Sequence, residues 1–256
     1  MNQKEEMKFA DSNILEGMTS ISALLNTEAE NNRRITRILI DASKRRSKSA
    51  EIGFLIAKSH ELGFSVEFVD AAEIEALTIG SSHGGIIAFC TERNLPILTA
   101  DKIVPNGFYV FLEGVEDPYN FGYSLRSLYA AGVNGIVLPP RNWMTAAGVV
   151  ARASAGTSEL ISMYTAEPDD VISIFKAVGY QVLCAGIRDS VSIFDEHFAY
   201  PVLLVIGGEK RGISRHILDQ ADRIVRIDYG RSFRGSLSAA SAATVLAFEI
   251  FRQNKT

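Results

Sequence analysis

Cysteine is nearly absent. Cys90 and Cys184 are the two in 256 residues, far apart and near no histidine cluster. This argues against a disulfide framework or a zinc site and suits a reducing cytoplasm. The four histidines, His60, His83, His197 and His216, are dispersed and read as surface or capping residues rather than metal ligands. No run approaches the roughly 18 consecutive apolar residues of a membrane span. The opening segment MNQKEEMKFA has no apolar core and no small-residue cleavage site, so it does not read as a secretory signal. Positive charge is also in deficit, 26 Lys and Arg against 30 Asp and Glu, a net −4. Taken alone, that argues mildly against a nucleic-acid partner, because phosphate binding needs local positive potential.

What is present is an ordinary globular composition, 47% hydrophobic and 22% charged. The average charge hides one basic stretch: Arg33, Arg34, Arg37, Lys44, Arg45, Arg46 and Lys48. It is either a solvated surface or a phosphate-facing patch, and composition does not choose.

The pattern along the chain predicts two α/β units. In the first, ITRILI (35–40), SVEFV (65–69) and GIIAFC (85–90) read as strands. Residues 48–62 read as a helix through Ile52, Leu55, Ile56 and Leu62, and DAAEIEAL as a short helix. This unit covers 1–95. Pro96, Pro105 and Gly107 mark a linker over 96–106. In the second unit, 107–256, strands are expected at FYVFLE (108–113), GIVLPP, ELISMY, YQVLCAG, VLLVIG (202–207) and RIVRID (223–228). Helices are expected over 122–131, 145–155, DDVISIFKAVG, ISRHILDQ and 236–252. Strands that alternate with helices and are apolar on both faces predict a parallel sheet covered on both sides. Its ligand site then lies in the turns beyond the strand carboxyl ends.

Three such turns carry chemistry. In EDPYNFGYSLRSLYAAG (116–132), Asp117-Pro118 is read as the strand break, Asn120 and Gly122 as the turn, with a helix from about Tyr123. Arg126 then falls near that helix's amino terminus, where a cation costs stability unless an anion is expected; the plainer reading is a surface arginine held by a carboxylate. In LVIGGEKRGIS (204–214), Gly207-Gly208 would let backbone approach a ligand closely, or would simply make a tight turn. In IDYGRSFRGSLSAASAATVLAFEI (227–250), Gly230 and Gly235 bracket a loop, and Ser236 is a plausible cap for an Ala/Ser-rich, closely packed helix. No G-x-G-x-x-G follows the first strand of either unit and no G-x-x-x-x-G-K-[ST] occurs, which disfavours dinucleotide and P-loop sites.

In order and spacing these turns resemble the three motifs of the SpoU/TrmH family of RNA methyltransferases: D-P-x-N-x-G-x-x-x-R at 117–126 with A-A-G at 130–132, G-G-E-x-x-G at 207–212, and G-x-x-x-x-G-S-L at 230–237. VVARASAGTSEL (149–160) is similar to the family's R-A-S-x-G segment. The resemblance spans 107–252. More loosely, the first unit resembles the ribosomal-protein-like RNA-binding domain often fused to this family, with HGGIIAFC (83–90) as its closing strand.

The resemblance implies a parallel α/β sheet ending in a trefoil knot, a homodimer, and S-adenosylmethionine held by loops containing Gly207, Gly208, Ile227, Leu237 and Ser238. It implies catalytic or substrate-positioning roles for Asn120, Arg126, Glu209 and Ser236, with Glu209 orienting Arg126 or the loop. The implied reaction is methylation of a ribose 2′-hydroxyl in ribosomal or transfer RNA, with base methylation, or RNA binding without catalysis, as alternatives. On an RNA-binding unit the basic stretch Arg33, Arg34, Arg37, Lys44, Arg45 and Arg46 becomes the electrostatic footprint. Two departures stand out: Ser238 replaces the family's usual Asn, and Asp228-Tyr229 replaces an apolar-Pro-Met segment. Trp143 reads as either a base-stacking or a partly buried structural residue.

Overall fold

A computed structural model describes residues 13–29, 33–78, 82–140 and 147–255. Trp143 lies outside the described residues. The chain divides into two compact units. The first comprises Met1–Asn94 with Asn142–Leu160, and the second Leu95–Arg141 with Ile161–Thr256.

The first unit is built on four strands: β1 (Ile14–Glu16), β2 (Ile35–Asp41), β3 (Ser65–Val69) and β4 (Ile86–Cys90). Their order is β1-β4-β2-β3, parallel between β2 and β3 and antiparallel elsewhere. Alternation decides which side chains meet. Ile38, Ile40, Ile86, Ala88 and Cys90 enter one core, with Ile52 and Leu55 of α2 (Ser49–Leu62). Leu39 and Ile87 enter a second, with Ile74 of α3 (Ala71–Leu77). Two of the four apolar positions expected to face the core from α2 do not: Ile56 and Leu62 are exposed. α1 (Gly17–Leu25) and β1 carry no sequence signal read above, yet Leu15, Ile21 and Leu24 are core residues.

The same core receives Ala151 from α5 (Ala147–Ala153). After α5, Glu159 is buried between two guanidiniums: Arg33 Nη1 lies 3.4 Å from Oε1, and Arg93 Nη2 contacts Oε2. Burial depresses the Arg93 pKa, and the facing Glu159 carboxylate opposes that shift. Arg33 is therefore corrected. It is 3% exposed and committed to Glu159, so it is not part of a phosphate-facing surface.

The second unit holds β5 (Phe108–Glu113), β6 (Gly135–Leu138), β7 (Ser162–Thr165), β8 (Gln181–Ala185), β9 (Val191–Ser192), β10 (Val202–Gly207) and β11 (Arg223–Arg226). All are parallel, in the order β7-β6-β5-β10-β8-β11-β9. β10 is inserted between β5 and β8, and β11 between β8 and β9. β10 is fully buried over Val202–Ile206, as a continuous apolar run in a covered parallel sheet should be. Tyr109, Phe111, Leu203 and Val205 face a core shared with Phe175 of α6 (Pro168–Ala177) and Ile217 of α7 (Arg215–Leu218). On β10 and α4 (Pro118–Ala130) packs α8 (Ala239–Asn254), which buries Ala239, Ala240, Ala243, Leu246, Ala247 and Ile250. The helix expected over ISRHILDQ is only the four residues of α7.

Candidate active site

A parallel sheet puts every strand's carboxyl end on one edge, so the turns after β5, β10 and β11 open on that edge. The helix after β5 starts earlier than expected. Asp117 is its N-cap and Pro118 occupies the first turn, and the Asp117 carboxylate accepts a 2.8 Å hydrogen bond from Asn120 N–H. Asp-Pro is thus a start signal rather than a break, since proline lacks only an N–H that the first turn leaves unpaired anyway. Two consequences follow. Asn120 is a helical residue, with its carbonyl accepting from Ser124 Oγ at 2.8 Å. Arg126 lies in the third turn, beyond reach of the dipole argument, which decays within the first. Arg126 is exposed and has no ion pair or hydrogen bond among the described residues, so no neighbouring carboxylate holds it.

After β10, Gly207 and Gly208 are required by protein backbone. A Cβ on Gly208 would sit 1.9 Å from Gly114 O, and one on Gly207 would sit 2.4 Å from Gly212 C. The close approach lets Gly208 N–H donate to Glu113 O at 2.7 Å and Gly212 N–H donate back to Gly208 O at 2.8 Å. The Glu113 carboxylate in turn accepts from Ser214 N–H at 2.9 Å. This locked turn presents Glu209, whose Oε1 accepts from Asn120 Nδ2 at 2.9 Å. Residues 89 apart in sequence are thereby joined across the edge of β5 and β10. Glu209 was expected to orient Arg126 or the loop; its observed partner is Asn120.

After β11, Ile227 is half-buried and Ser236 is exposed. The α8 cap is Ser238, not Ser236: Ser238 Oγ accepts from Ser241 N–H at 3.2 Å. Asn and Ser cap helices about equally well, so the substitution in the third motif preserves the helix start. Leu237 N–H donates to Tyr229 Oη at 3.2 Å, and the Tyr229 ring leans on Phe233. Asp228 pairs with Arg226 at 2.8 Å, and hydrogen bonds from Ser192 and Arg226 hold its carboxyl below the usual range. Arg226 also donates to Ser190 O at 2.5 Å, so Asp228 completes a polar tie to the β9 segment. Tyr229 and Phe233 were missed as functional candidates. Their signal was aromatic residues interleaved with Arg231 and Arg234 in a glycine-bounded loop.

Among the described residues no group of three or more His, Cys, Asp and Glu could hold a metal. In the first unit Arg34, Arg45 and Arg46 are exposed, while Arg37 and Lys44 are half-buried. Arg37 lies 4.4 Å over Phe89 and 3.9 Å from Glu67, and Arg45 lies 3.9 Å over Phe68.

An all-parallel sheet with its three motif turns at the carboxyl edge, carrying neither dinucleotide nor P-loop glycines, defines the class as a covered α/β fold. The chain belongs to the SpoU rRNA methylase family, whose model matches residues 107–248. Residues 14–96 match the RNA 2′-O ribose methyltransferase substrate-binding model. The 23S rRNA (guanosine-2′-O-)-methyltransferase RlmB of Shewanella oneidensis is 24% identical over 250 residues, covering 95% of this chain and 98% of that protein. RlmB of a Burkholderia species is 29% identical over 194 residues, covering 72% and 76%. The AdoMet-bound rRNA methyltransferase of Sinorhizobium meliloti superposes with a TM-score of 0.77 at 22% identity, covering 98% of this chain and 95% of that one. At that identity the likeness establishes the fold.

Proposed function

We propose that this chain is an S-adenosylmethionine-dependent RNA methyltransferase acting on a ribose 2′-hydroxyl of ribosomal or transfer RNA. The observation that carries the reading is the Asn120–Glu209 bond. It ties the first and second motif turns together at the carboxyl edge of β5 and β10, and Arg126, exposed in the third turn of the same helix as Asn120, has no ion pair or hydrogen bond among the described residues. The family, and relatives named as guanosine-2′-O-methyltransferases of 23S rRNA, support the same choice.

The turns suit the cofactor. Ile227 and Leu237 offer half-buried apolar surface, Gly207 and Gly208 offer tightly held backbone, and a Cβ on Gly230 would meet nothing within 4 Å. Those residues, with Ser238, would hold it. S-adenosylmethionine supplies a sulfonium methyl that is already activated, so the protein mainly aligns the reactants and handles charge. Asn120, fixed at both backbone and side chain, and Glu209 position the ribose. The Arg126 guanidinium, hard to deprotonate, binds phosphate and stabilises negative charge growing on the attacking oxygen. The hydroxyl proton departs to water on this exposed face. Ser236 is exposed beside Leu237 and contacts substrate. The noncatalytic reading rested on Ser238 in place of the usual Asn; Ser238 keeps the helix cap, and relatives named as methyltransferases support the catalytic reading instead.

Arg34, Arg37, Lys44, Arg45 and Arg46 form the RNA footprint of the first unit. The chain pairs with a second copy through α4 and α8, which expose Tyr119, Tyr123, Tyr129, Phe248 and Phe251. The late insertion of β10 and β11 between earlier strands accords with a knotted carboxyl end. No helix among the described residues is long and apolar enough to cross a membrane, and a cytoplasmic enzyme is the corresponding proposal. Mass analysis of nucleosides from RNA of cells with and without the gene tests the function. One 2′-O-methyl nucleoside should disappear and return with the wild-type gene but not with Arg126→Ala. An unchanged 2′-O-methyl inventory refutes the reading, and a lost base methylation instead redirects it.

A further inference from the structure

The turn between β11 and α8 holds a feature that the three motifs do not use. Tyr229 is 39% exposed and Phe233 60% exposed, with ring centroids 5.9 Å apart and planes at 52°. The pair is positioned rather than adrift. The Leu237 N–H bond to Tyr229 Oη holds one ring, and Gly235 makes room for the other, since a Cβ there would lie 2.5 Å from Phe233 Cζ. Arg231 lies between the two aromatics in sequence and Arg234 follows Phe233, both exposed and without an ion pair or hydrogen bond among the described residues. The nearby acid, Asp228, is already taken by Arg226.

We propose that this turn is a stacking platform for an unpaired base of the RNA substrate, with Tyr229 and Phe233 as its faces and Arg231 and Arg234 holding the adjoining phosphates. The proposal rests on the chain being an RNA-acting enzyme. A lone exposed aromatic would need no explanation. Two pinned aromatics interleaved along the turn with two uncommitted guanidiniums match the combination by which proteins hold single strands, a ring for each base and a cation for the backbone. A protein partner fits less well. It would have to cover two unpaired cations along with the rings, at a desolvation cost that an apolar contact does not return, whereas each nucleotide brings its own negative charge. The platform stands on the same carboxyl edge as Asn120 and Glu209, so a base held there belongs to the substrate being positioned.

Fluorescence anisotropy of the full chain with a fluorescein-labelled single-stranded RNA of about 12 nucleotides, within the usual site-size range, tests this. Phe233→Ala should weaken single-strand binding about tenfold or more, and Phe233→Trp should keep it. The same RNA annealed into a duplex should lose little affinity in Phe233→Ala. Arg231→Ala and Arg234→Ala should each reduce the slope of log affinity against log salt by about 0.7, the value for one phosphate contact on a single strand. Far-UV circular dichroism and thermal unfolding, unchanged in all four variants, show that they fold. Single-strand affinity of Phe233→Ala within twofold of wild type overturns the platform. So does sedimentation in which Phe233→Ala separates a dimer while RNA affinity is retained, because the rings then serve a protein contact. Methyl incorporation by the wild-type chain is scored separately. Its absence refutes the enzyme reading and leaves the binding outcome to stand alone, whereas activity with an indifferent Phe233→Ala refutes only the platform.

Discussion

Gly208→Ala should damage the second unit more than any other single-methyl addition at its edge. The added carbon would lie 1.9 Å from Gly114 O and 2.5 Å from Gly114 C. Both are backbone atoms, so no side chain can swing aside, and the carboxyl ends of β5 and β10 must separate. Overpacking of this kind costs about 1–3 kcal/mol. Separation also stretches the 2.7 Å bond from Gly208 N–H to Glu113 O, adding about 0.5–1.5 kcal/mol. The total, about 1.5–4.5 kcal/mol, corresponds to a fall in Tm of roughly 3–18 °C for a protein of this size. Two comparisons calibrate the result. Gly212 has open space but φ +66°, so Gly212→Ala carries only left-handed strain, about 1–2 kcal/mol. Gly230 has neither constraint and Gly230→Ala should leave Tm nearly unchanged. Thermal unfolding followed by circular dichroism reads all three. A Gly208→Ala protein that melts within about a degree of wild type would refute the backbone-contact argument. A drop in Gly230→Ala as large as that in Gly208→Ala would show that the turns tolerate no change at all, for some reason other than the contact.

Glu159→Gln leaves the buried Arg33 and Arg93 facing an amide, and breaking a buried pair from one side costs about 3–5 kcal/mol; urea unfolding of the variant should show this, and a loss under about 1 kcal/mol would contradict the burial. Ser238→Asn should melt with wild type while Ser238→Ala loses about 1 kcal/mol, the worth of an N-cap; equal melting of both variants would remove the cap from the account. Burial pushes the thiols of Cys90 and Cys184 up to about 12. Because the reactive thiolate forms only above that value in the folded chain, iodoacetamide at pH 8 should label neither until the protein is unfolded, when both react; rapid labelling of the native protein would be the contrary result.

Asp228, with its carboxyl held low by Ser192 and Arg226, illustrates how unevenly such features can be read in advance. From the sequence it was a departure from a motif; its partners come from β9 and β11, and only their pairing makes it a tie. The sequence by itself determined the parallel α/β sheet, because β10 is apolar at successive positions and only burial on both faces suits such a strand. It determined the order of the three motif turns, because residue spacing is a property of the chain. It also held the start of α4, since Asp117-Pro118 is a local capping signal, although it was read as a break. The tertiary structure decided the rest. Arg33 reads as one cation in a basic run until Glu159, 126 residues on, is brought against it. Segment Asn142–Leu160 falls inside the methyltransferase stretch of the sequence, yet it supplies Ala151 to the core of the first unit. Gly207 and Gly208 look like a ligand cradle in one dimension; that they also let the backbones of Gly114 and Gly212 come close appears only in three. Glu209 finds Asn120 rather than Arg126 for the same reason: which polar groups meet depends on pairing β10 beside β5, a long-range contact that no local pattern encodes.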